Sequence, residues 1–314
     1  MHKTSCSIII PSRNCINYLP TALNSIAAQM YGDLEVIIAD DGSTDGTAEW
    51  VAGLGEQPFQ LKLISTGGIG PSRARNAAIN VASSDIIAFL DADDIWWPGK
   101  LARQIEVHLA NPTTGFSFTD YIHVGVDGRT FGTCFEFWRC DWTQMRTGDY
   151  FLVDHAEAKL LATNLVGTST VVANRKVFES VNGFSTTCAS AEDWDLWLRM
   201  AKVADVACSS AVTMTYLMRP ASETANRQRR LSAMRDIVDR YRERPESVMR
   251  HAVRSAMARI EIAEAEAARE QGRYGAAASA HVRAMTSAPS WRTARAIASD
   301  AVAVGSTLLK AKRA

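Results

Sequence analysis

Asp91, Asp93 and Asp94 fall within four consecutive positions at the end of an apolar run, Ile86-Ile87-Ala88-Phe89-Leu90. Carboxylates this close repel one another. In a partly buried site they stay ionised only when a metal or a basic partner offsets them. Hard oxygen ligands at this spacing suit Mg²⁺ or Mn²⁺, ions that keep several waters and share a substrate phosphate. The plainer alternative is that these aspartates only cap the next helix. Two further groupings carry chemistry. Asp40-Asp41 precede the turn Gly42-Ser43-Thr44-Asp45-Gly46, and Arg73, Arg75 and Asn76 open a helix after Gly67-Gly68-Ile69-Gly70-Pro71. A helix start with basic side chains suits an anion, because backbone N–H groups and cationic heads point the same way. A solvated basic helix face is the alternative there.

The elements that must position these groups follow a βαβαβ order. Residues 7–11 read as a buried strand and 19–29 as a helix, with Leu19, Leu23, Ile26 and Ala27 on one face. Strands over 34–39 and 61–65 flank a helix over 47–54, and a helix over 72–81 leads to the strand 86–90. Alternating strands and helices predict a mostly parallel sheet with right-handed crossovers, and ligands bind beyond the carboxyl ends of such strands. Pro11-Ser12-Arg13-Asn14, Asp40-Asp41 and Asp91 to Asp94 all fall at those ends. Residues 119–163 have weak periodicity and many aromatics, Trp142 among them, as a lid or acceptor-binding insertion would. A strand over 167–173 and a helix opening near Glu192 follow.

From about residue 221 the chain turns to Ala, Arg and Glu. Helices over 251–271, 274–285 and 291–309 are separated by Gly272 and by Ala288-Pro289-Ser290. The phrase Gly272-Arg273-Tyr274-Gly275-Ala276-Ala277 resembles part of a tetratricopeptide-type hairpin but spans about one repeat. The expected organisation is therefore an α/β domain over 1–220 and a helical extension over 221–314.

Lys plus Arg number 34 and Asp plus Glu 34, so no global field recommends nucleic acid as a partner. The six cysteines form no CxxC pair and no zinc spacing, which predicts reduced thiols in a cytoplasmic protein. The N-terminus is too weakly apolar for a signal peptide, and no run approaches the roughly 20 residues a membrane span requires. The basic end over 291–313 suits a packed or solvated helix better than a membrane surface, although peripheral contact at the inner face fits its charge.

These segments together resemble a family 2 glycosyltransferase of the GT-A fold. The resemblance rests on SIIIPSRNCINYLPTALNSI, EVIIADDGSTDGT, GPSRARNAAI, FLDADDIWWPGKL, NGF at Asn182 to Phe184 and AEDWDLWLR, in that order from Ser7 to about Arg219. It implies a Rossmann-like, mostly parallel sheet flanked by helices. It also implies a nucleotide-sugar donor, a UDP-sugar as the commonest case, and a saccharide or lipid-linked acceptor. By resemblance, Asp41 meets the nucleotide base with Asp40 orienting its loop. Pro11 and Arg13 frame base and ribose, and Arg73 or Arg75 approaches the nucleotide.

Asp91 and Asp93 match the family's DxD motif, Asp91 meeting ribose or metal-bound water and Asp93 ligating Mn²⁺ or Mg²⁺. Asp94 then orients the loop or caps the helix near Gly99. Asp193, supported by Glu192, matches the catalytic base of an inverting transfer. Trp96 and Trp97 suit either the sugar pocket or the core, and Asp195 with Arg199 reads as a surface i,i+4 pair. The QxxRW motif of processive synthases has no match in Gln228-Arg229-Arg230-Leu231, which favours single addition. Rival readings fit less well. A receiver domain needs its acidic pair after the first strand, and a haloacid-dehalogenase-like phosphatase expects Thr or Val where Ile95 stands. A non-catalytic module built on the helical tail is the remaining alternative.

Overall fold

Three consecutive isoleucines, Ile8 to Ile10, are all buried, as a strand covered on both faces requires. They form the centre of β1 (Cys6–Ser12) in a computed structural model that describes residues 4–140, 149–219 and 227–311. Trp142, residues 221–226 and the basic terminus at Arg313 lie outside the described residues. After β1 come α1 (Leu19–Ala27), β2 (Leu34–Asp40), α2 (Thr47–Ala52), β3 (Gln60–Ser65), α3 (Pro71–Val81) and β4 (Ile86–Phe89). Then follow β5 (Ile95–Trp96), α4 (Lys100–Ala110), β6 (Thr114–Gly125), β7 (Thr130–Thr133), α5 (Cys134–Trp138), β8 (Phe151–Leu152) and α6 (Ala156–Thr163). The sheet is completed by β9 (Val172–Asn174) and β10 (Asp205–Met218), with α7 (Arg175–Ser180) and α8 (Glu192–Ala201) between them.

The strands form one ten-stranded sheet in the order β3-β2-β1-β4-β9-β6-β10-β5, with β7 on β6 and β8 on β10. The first four are mutually parallel, β6 and β10 run parallel to each other, and β9 is antiparallel to both of its neighbours. Alternate side chains divide the core between two faces. Ile8, Ile10, Val36 and Ile38 pack with Leu19, Leu23 and Ile26 of α1. A second apolar group is aromatic: Phe89, Phe178, Phe184 and Trp197 meet edge to face, with centroids 5.6–6.1 Å apart for the Phe89–Phe184, Phe89–Trp197, Phe178–Phe184 and Phe184–Trp197 pairs.

Several expectations change here. The segment predicted as one strand over 167–173 is a 3-10 turn, Thr168–Thr170, before β9. The Thr170 hydroxyl donates to the Gly167 carbonyl at 2.7 Å, a local bond that competes with the ladder. Residues 119–163 are more regular than their weak periodicity suggests, because β6 runs on to Gly125 and pairs with β10. Both strands bury hydroxyls. Ser117 accepts from Gln104, and Thr119 bonds Thr213 at 2.6 Å, so polar residues interrupt the apolar signal without costing burial. The Asp195–Arg199 pair is not a surface pair. Asp195 is buried, and Arg199 also donates to the carbonyls of Val181 and of Gly183, the latter at 2.8 Å, clamping the turn before Phe184.

The chain divides into two compact units. The first comprises Met1–Glu157, Leu165–Thr187 and Glu192–Ser222, and the second comprises Ala158–Asn164, Cys188–Ala191 and Glu223–Ala314. The helices of the second are α9 (Arg227–Asp239), α10 (Ser247–Glu270), α11 (Tyr274–Ser287) and α12 (Trp291–Ala311). Ala265, Ala268, Ala277 and Ala280 form a small-residue seam in this unit. Its buried acids are paired: Glu261 accepts from Arg235 at 3.0 Å and Arg283 at 2.7 Å, and Asp300 accepts from Arg269 and contacts His281 at 2.7 Å. Burying a carboxylate without such partners is costly.

Candidate functional site

The carboxyl ends of β1, β2 and β4 present the sequence-predicted groups on one edge of the sheet. Two loops are stapled there. Asn14, held at φ 53°, accepts from the Thr44 amide at 2.8 Å and donates its own amide to Ser43 Oγ at 2.9 Å. Pro11 is half-buried near the end of β1, and Arg13 is exposed on the loop beyond it. Asp40 accepts from the Ser43 hydroxyl and holds the turn after β2.

Asp41 accepts from Thr66 Oγ1 at 2.8 Å, from the Ile69 amide at 2.7 Å and from the Gly70 amide at 2.8 Å. Burial alone would raise its carboxyl, but the hydrogen bonds from Thr66, Gly70 and Ile69 outweigh it and hold the group below the usual carboxylate range. Asp41 therefore shapes the glycine turn that starts α3. The two arginines after that turn separate: Arg73 is exposed, whereas Arg75 is buried. Arg75 Nη2 donates to Asp91 Oδ1 at 2.7 Å and Nη1 to Glu192 Oε1 at 3.2 Å, and its guanidinium lies 5.4 Å from the Phe184 ring centre. Its Nε has no hydrogen-bond partner among the described residues.

One guanidinium thus joins the strand-end acids to the acids opening α8. Burial and the Asp193 carboxylate raise the Glu192 carboxyl, and Arg75 opposes them. Asp193 is partly exposed; its Oδ2 accepts from Thr168 Oγ1 at 3.1 Å, and its Oδ1 from the Trp194 amide at 2.7 Å. Its carboxylate is oriented but has no cationic partner in these bonds.

Ser169 links the other acids. Its hydroxyl accepts from the Asp91 amide at 2.9 Å and donates to Asp94 Oδ2 at 2.5 Å. Asp94 also accepts from the Leu217 amide at 3.3 Å, and burial together with Asp91 and Asp93 pushes its carboxyl well up. It orients the loop and does not cap α4, whose N-terminal Gly99 supplies no side-chain bond. Trp96 is core, its Nε1 donating to the Ser169 carbonyl at 2.7 Å, whereas Trp97 is exposed and donates to Thr215 Oγ1 at 3.0 Å.

Asp93 is paired with Arg219 at the end of β10. Burial and the Asp91 charge raise the Asp93 carboxyl, and Arg219 counteracts them. Thr168, Ser169 and Arg219 escaped the sequence reading. The first two sit in the misassigned strand, and Arg219 stands in no motif.

No group of three or more His, Cys, Asp or Glu side chains forms a ready-made cage among the described residues. The donor chemistry nonetheless fits Mg²⁺ or Mn²⁺. Asp91 and Asp93 offer hard oxygens at a strand end, a cation there would offset the burial and the Asp91 charge that raise the Asp93 carboxyl, and these ions leave their other positions to waters and phosphates.

A mostly parallel sheet with acids and a buried arginine at its strand ends, followed by helices, places the molecule in the GT-A class of α/β proteins. The chain matches glycosyl transferase family 2 over residues 7–150. It is 42% identical over 110 residues to an uncharacterized glycosyltransferase of Nostoc sp., a match covering 35% of this chain and 34% of that protein. The chain thus spans about a third of that relative's length. It is 28% identical over 242 residues to the UDP-Glc:alpha-D-GlcNAc-diphosphoundecaprenol beta-1,3-glucosyltransferase WfgD of Escherichia coli, covering 76% of this chain and 87% of that one. Among solved structures, the mannosyltransferase PcManGT of Pyrobaculum calidifontis, in complex with GDP-Man and Mn²⁺, aligns with a TM-score of 0.63 at 22% identity, over 96% of this chain and 81% of that one. No helix among the described residues is long and apolar enough to cross a membrane.

Proposed function

We propose that the chain is an inverting glycosyltransferase that moves a sugar from a nucleotide diphosphate sugar, a UDP-sugar first, to an acceptor hydroxyl. The observation that carries this reading is the Arg75 bridge between Asp91 and Glu192, which brings the donor-side acids and the acid pair of α8 into one network. Residues 1–220 act as the catalytic domain, with 221–314 as a helical extension. The acceptor is a saccharide or lipid-linked saccharide of cell-surface polysaccharide or glycolipid synthesis, met at the cytoplasmic face of the membrane. The relative that uses a diphosphoundecaprenol-linked acceptor supports this assignment.

In this mechanism Pro11, Arg13 and Arg73 line the nucleotide side, and Asp41 holds the glycine turn against the base. Asp193 takes the proton of the acceptor hydroxyl on its carboxylate. The acceptor oxygen forms its bond to the anomeric carbon as the bond to the diphosphate breaks, and the nucleotide diphosphate leaves from the opposite face. Thr168 and the Trp194 amide aim the Asp193 carboxylate. Asp91 and Asp93 would hold a divalent ion, which would neutralise the charge that grows on the departing diphosphate. Glu192, Asp40 and Asp94 position their neighbours.

Asp193→Asn is expected to lower transfer by about 10²–10⁴-fold, the usual contribution of a general base, while the variant still binds the donor in a titration. Near-full transfer by that variant would refute the base assignment. A thermal-shift panel of nucleotide sugars with and without Mn²⁺ identifies the donor, since ligand binding to the folded state raises apparent stability.

A further inference from the structure

Arg219 directly follows β10, beside Asp93. Its Nε donates to Asp93 Oδ2 at 2.5 Å, its Nη2 lies 3.8 Å from Cys15 Sγ, and its guanidinium carbon sits 5.4 Å from the Tyr18 ring centre. Cys15 and Tyr18 belong to the segment between β1 and α1, so one guanidinium ties three segments together at the donor edge. Both members of the ion pair are mostly buried, with side chains 21% and 16% exposed.

The two DxD carboxylates therefore have cations of different kinds. Arg75, at Asp91, is 8% exposed and also bonded to Glu192. It cannot leave without stranding two acids. Among the described residues Arg219 has one acidic partner, Asp93, and its other contacts are a thiol and an aromatic ring. A guanidinium at Asp93 and a divalent ion at the same carboxylate repel, and in a partly buried site that repulsion is poorly screened. A guanidinium released there is also the side chain best matched to phosphate oxygens.

Building on the metal and nucleotide-sugar reading of this site, we propose that Arg219 is an exchangeable internal counter-cation: it occupies Asp93 in the donor-free protein, yields that carboxylate to the divalent ion and then pairs with the donor diphosphate. Metal affinity without nucleotide is thereby kept low, and metal and nucleotide binding become mutually reinforcing.

The test titrates Mn²⁺ into the full chain, reading free Mn²⁺ by electron paramagnetic resonance, with and without UDP. Compared with wild type, Arg219→Gln binds Mn²⁺ alone at least tenfold more tightly and shows less enhancement by UDP, while Arg219→Lys stays within about threefold of wild type. Adding Asp93→Asn removes the difference. An Arg219→Gln protein with wild-type or weaker Mn²⁺ affinity overturns the proposal. If Mn²⁺ and UDP bind but Arg219→Gln changes nothing, only this inference fails. If neither ligand binds the wild type, the metal-nucleotide reading falls with it.

A measurement on the wild type is independent of how the variant folds. The Arg219 Nε–H nuclear magnetic resonance signal should shift when Mg²⁺ and UDP are added together, and an unmoved signal at saturation refutes the exchange.

Discussion

Replacing Arg75 with methionine removes the cation between Asp91 and Glu192 while keeping an apolar stem against Phe184. The Arg75 side chain is 8% exposed and that of Glu192 17%, so water cannot take over for the lost guanidinium at Glu192; Asp91, at 31%, recovers part of its hydration. Breaking a buried pair by removing one partner costs about 3–5 kcal/mol, and the partial exposure of Asp91 puts the expected loss near the lower end, about 3 kcal/mol at pH 7.5. The loss depends on pH. Burial and Asp193 already raise the Glu192 carboxyl above its ordinary value against the pull of Arg75, and without that pull it rises further. A carboxyl raised in the folded state carries no penalty below its unfolded value. Its cost appears as pH rises through the folded value. The deficit of the variant should therefore shrink as pH falls from 7.5 to 5. Urea unfolding followed by tryptophan fluorescence measures this in the first unit, because Trp291 is the only tryptophan beyond residue 222. Adding Glu192→Gln should recover part of the loss. A deficit below about 1 kcal/mol, or one that grows as pH falls, would refute the reading of Arg75 as the clamp between the two acids.

Lys100 is buried with its Nζ 4.3 Å from the Trp96 ring centre and no hydrogen-bond partner among the described residues, and burial depresses its ammonium to about 7. The unfolded chain binds this proton more tightly between about pH 7 and the ordinary lysine value, so the penalty is full below pH 7 and fades as pH rises. Lys100→Met should accordingly stabilise the fold by up to about 5 kcal/mol at pH 6, less the lost cation–π contact, with the gain declining towards pH 10; a pH-independent change in urea midpoint would count against it. Gly183 has φ +64°, and a Cβ there would stand 2.8 Å from Asn76 Oδ1 and 2.9 Å from Phe178 Cζ. Gly183→Ala should cost about 2–4 kcal/mol through backbone strain and displacement of Asn76 from the Phe184 backbone, and a loss under about 0.5 kcal/mol would contradict the tight packing of this turn.

Residue order alone was enough to read the strands β1 to β4 and their intervening helices. Their signals are local: unbroken apolar runs, glycine turns and helical spacing. The strands β6 and β10 were not legible in the same way. Their hydroxyls are satisfied by Gln104 and by each other, so the residues look polar in sequence while being buried in the fold. Asp94 shows the same limit at the site. Its type and position allowed a cap or a loop anchor, and the choice depended on Ser169 and Leu217, residues 75 and 123 positions away.

What the sequence by itself determined is the inventory of the site: an acid group at each of two strand ends, an arginine pair at a helix start and an acid pair opening a later helix. Parallel βα units deliver strand ends to one edge, and so the inventory implied a shared location. Only the tertiary structure decided which charges meet. It separated Arg73 from Arg75 by burial, gave Asp91 a clamped cation and Asp93 a different one from just beyond β10, and recruited the hydroxyls of Thr168 and Ser169. Ion pairs and hydrogen bonds form over about 3 Å between side chains far apart in the chain, and no local pattern records which distant group a crossover will bring within that reach.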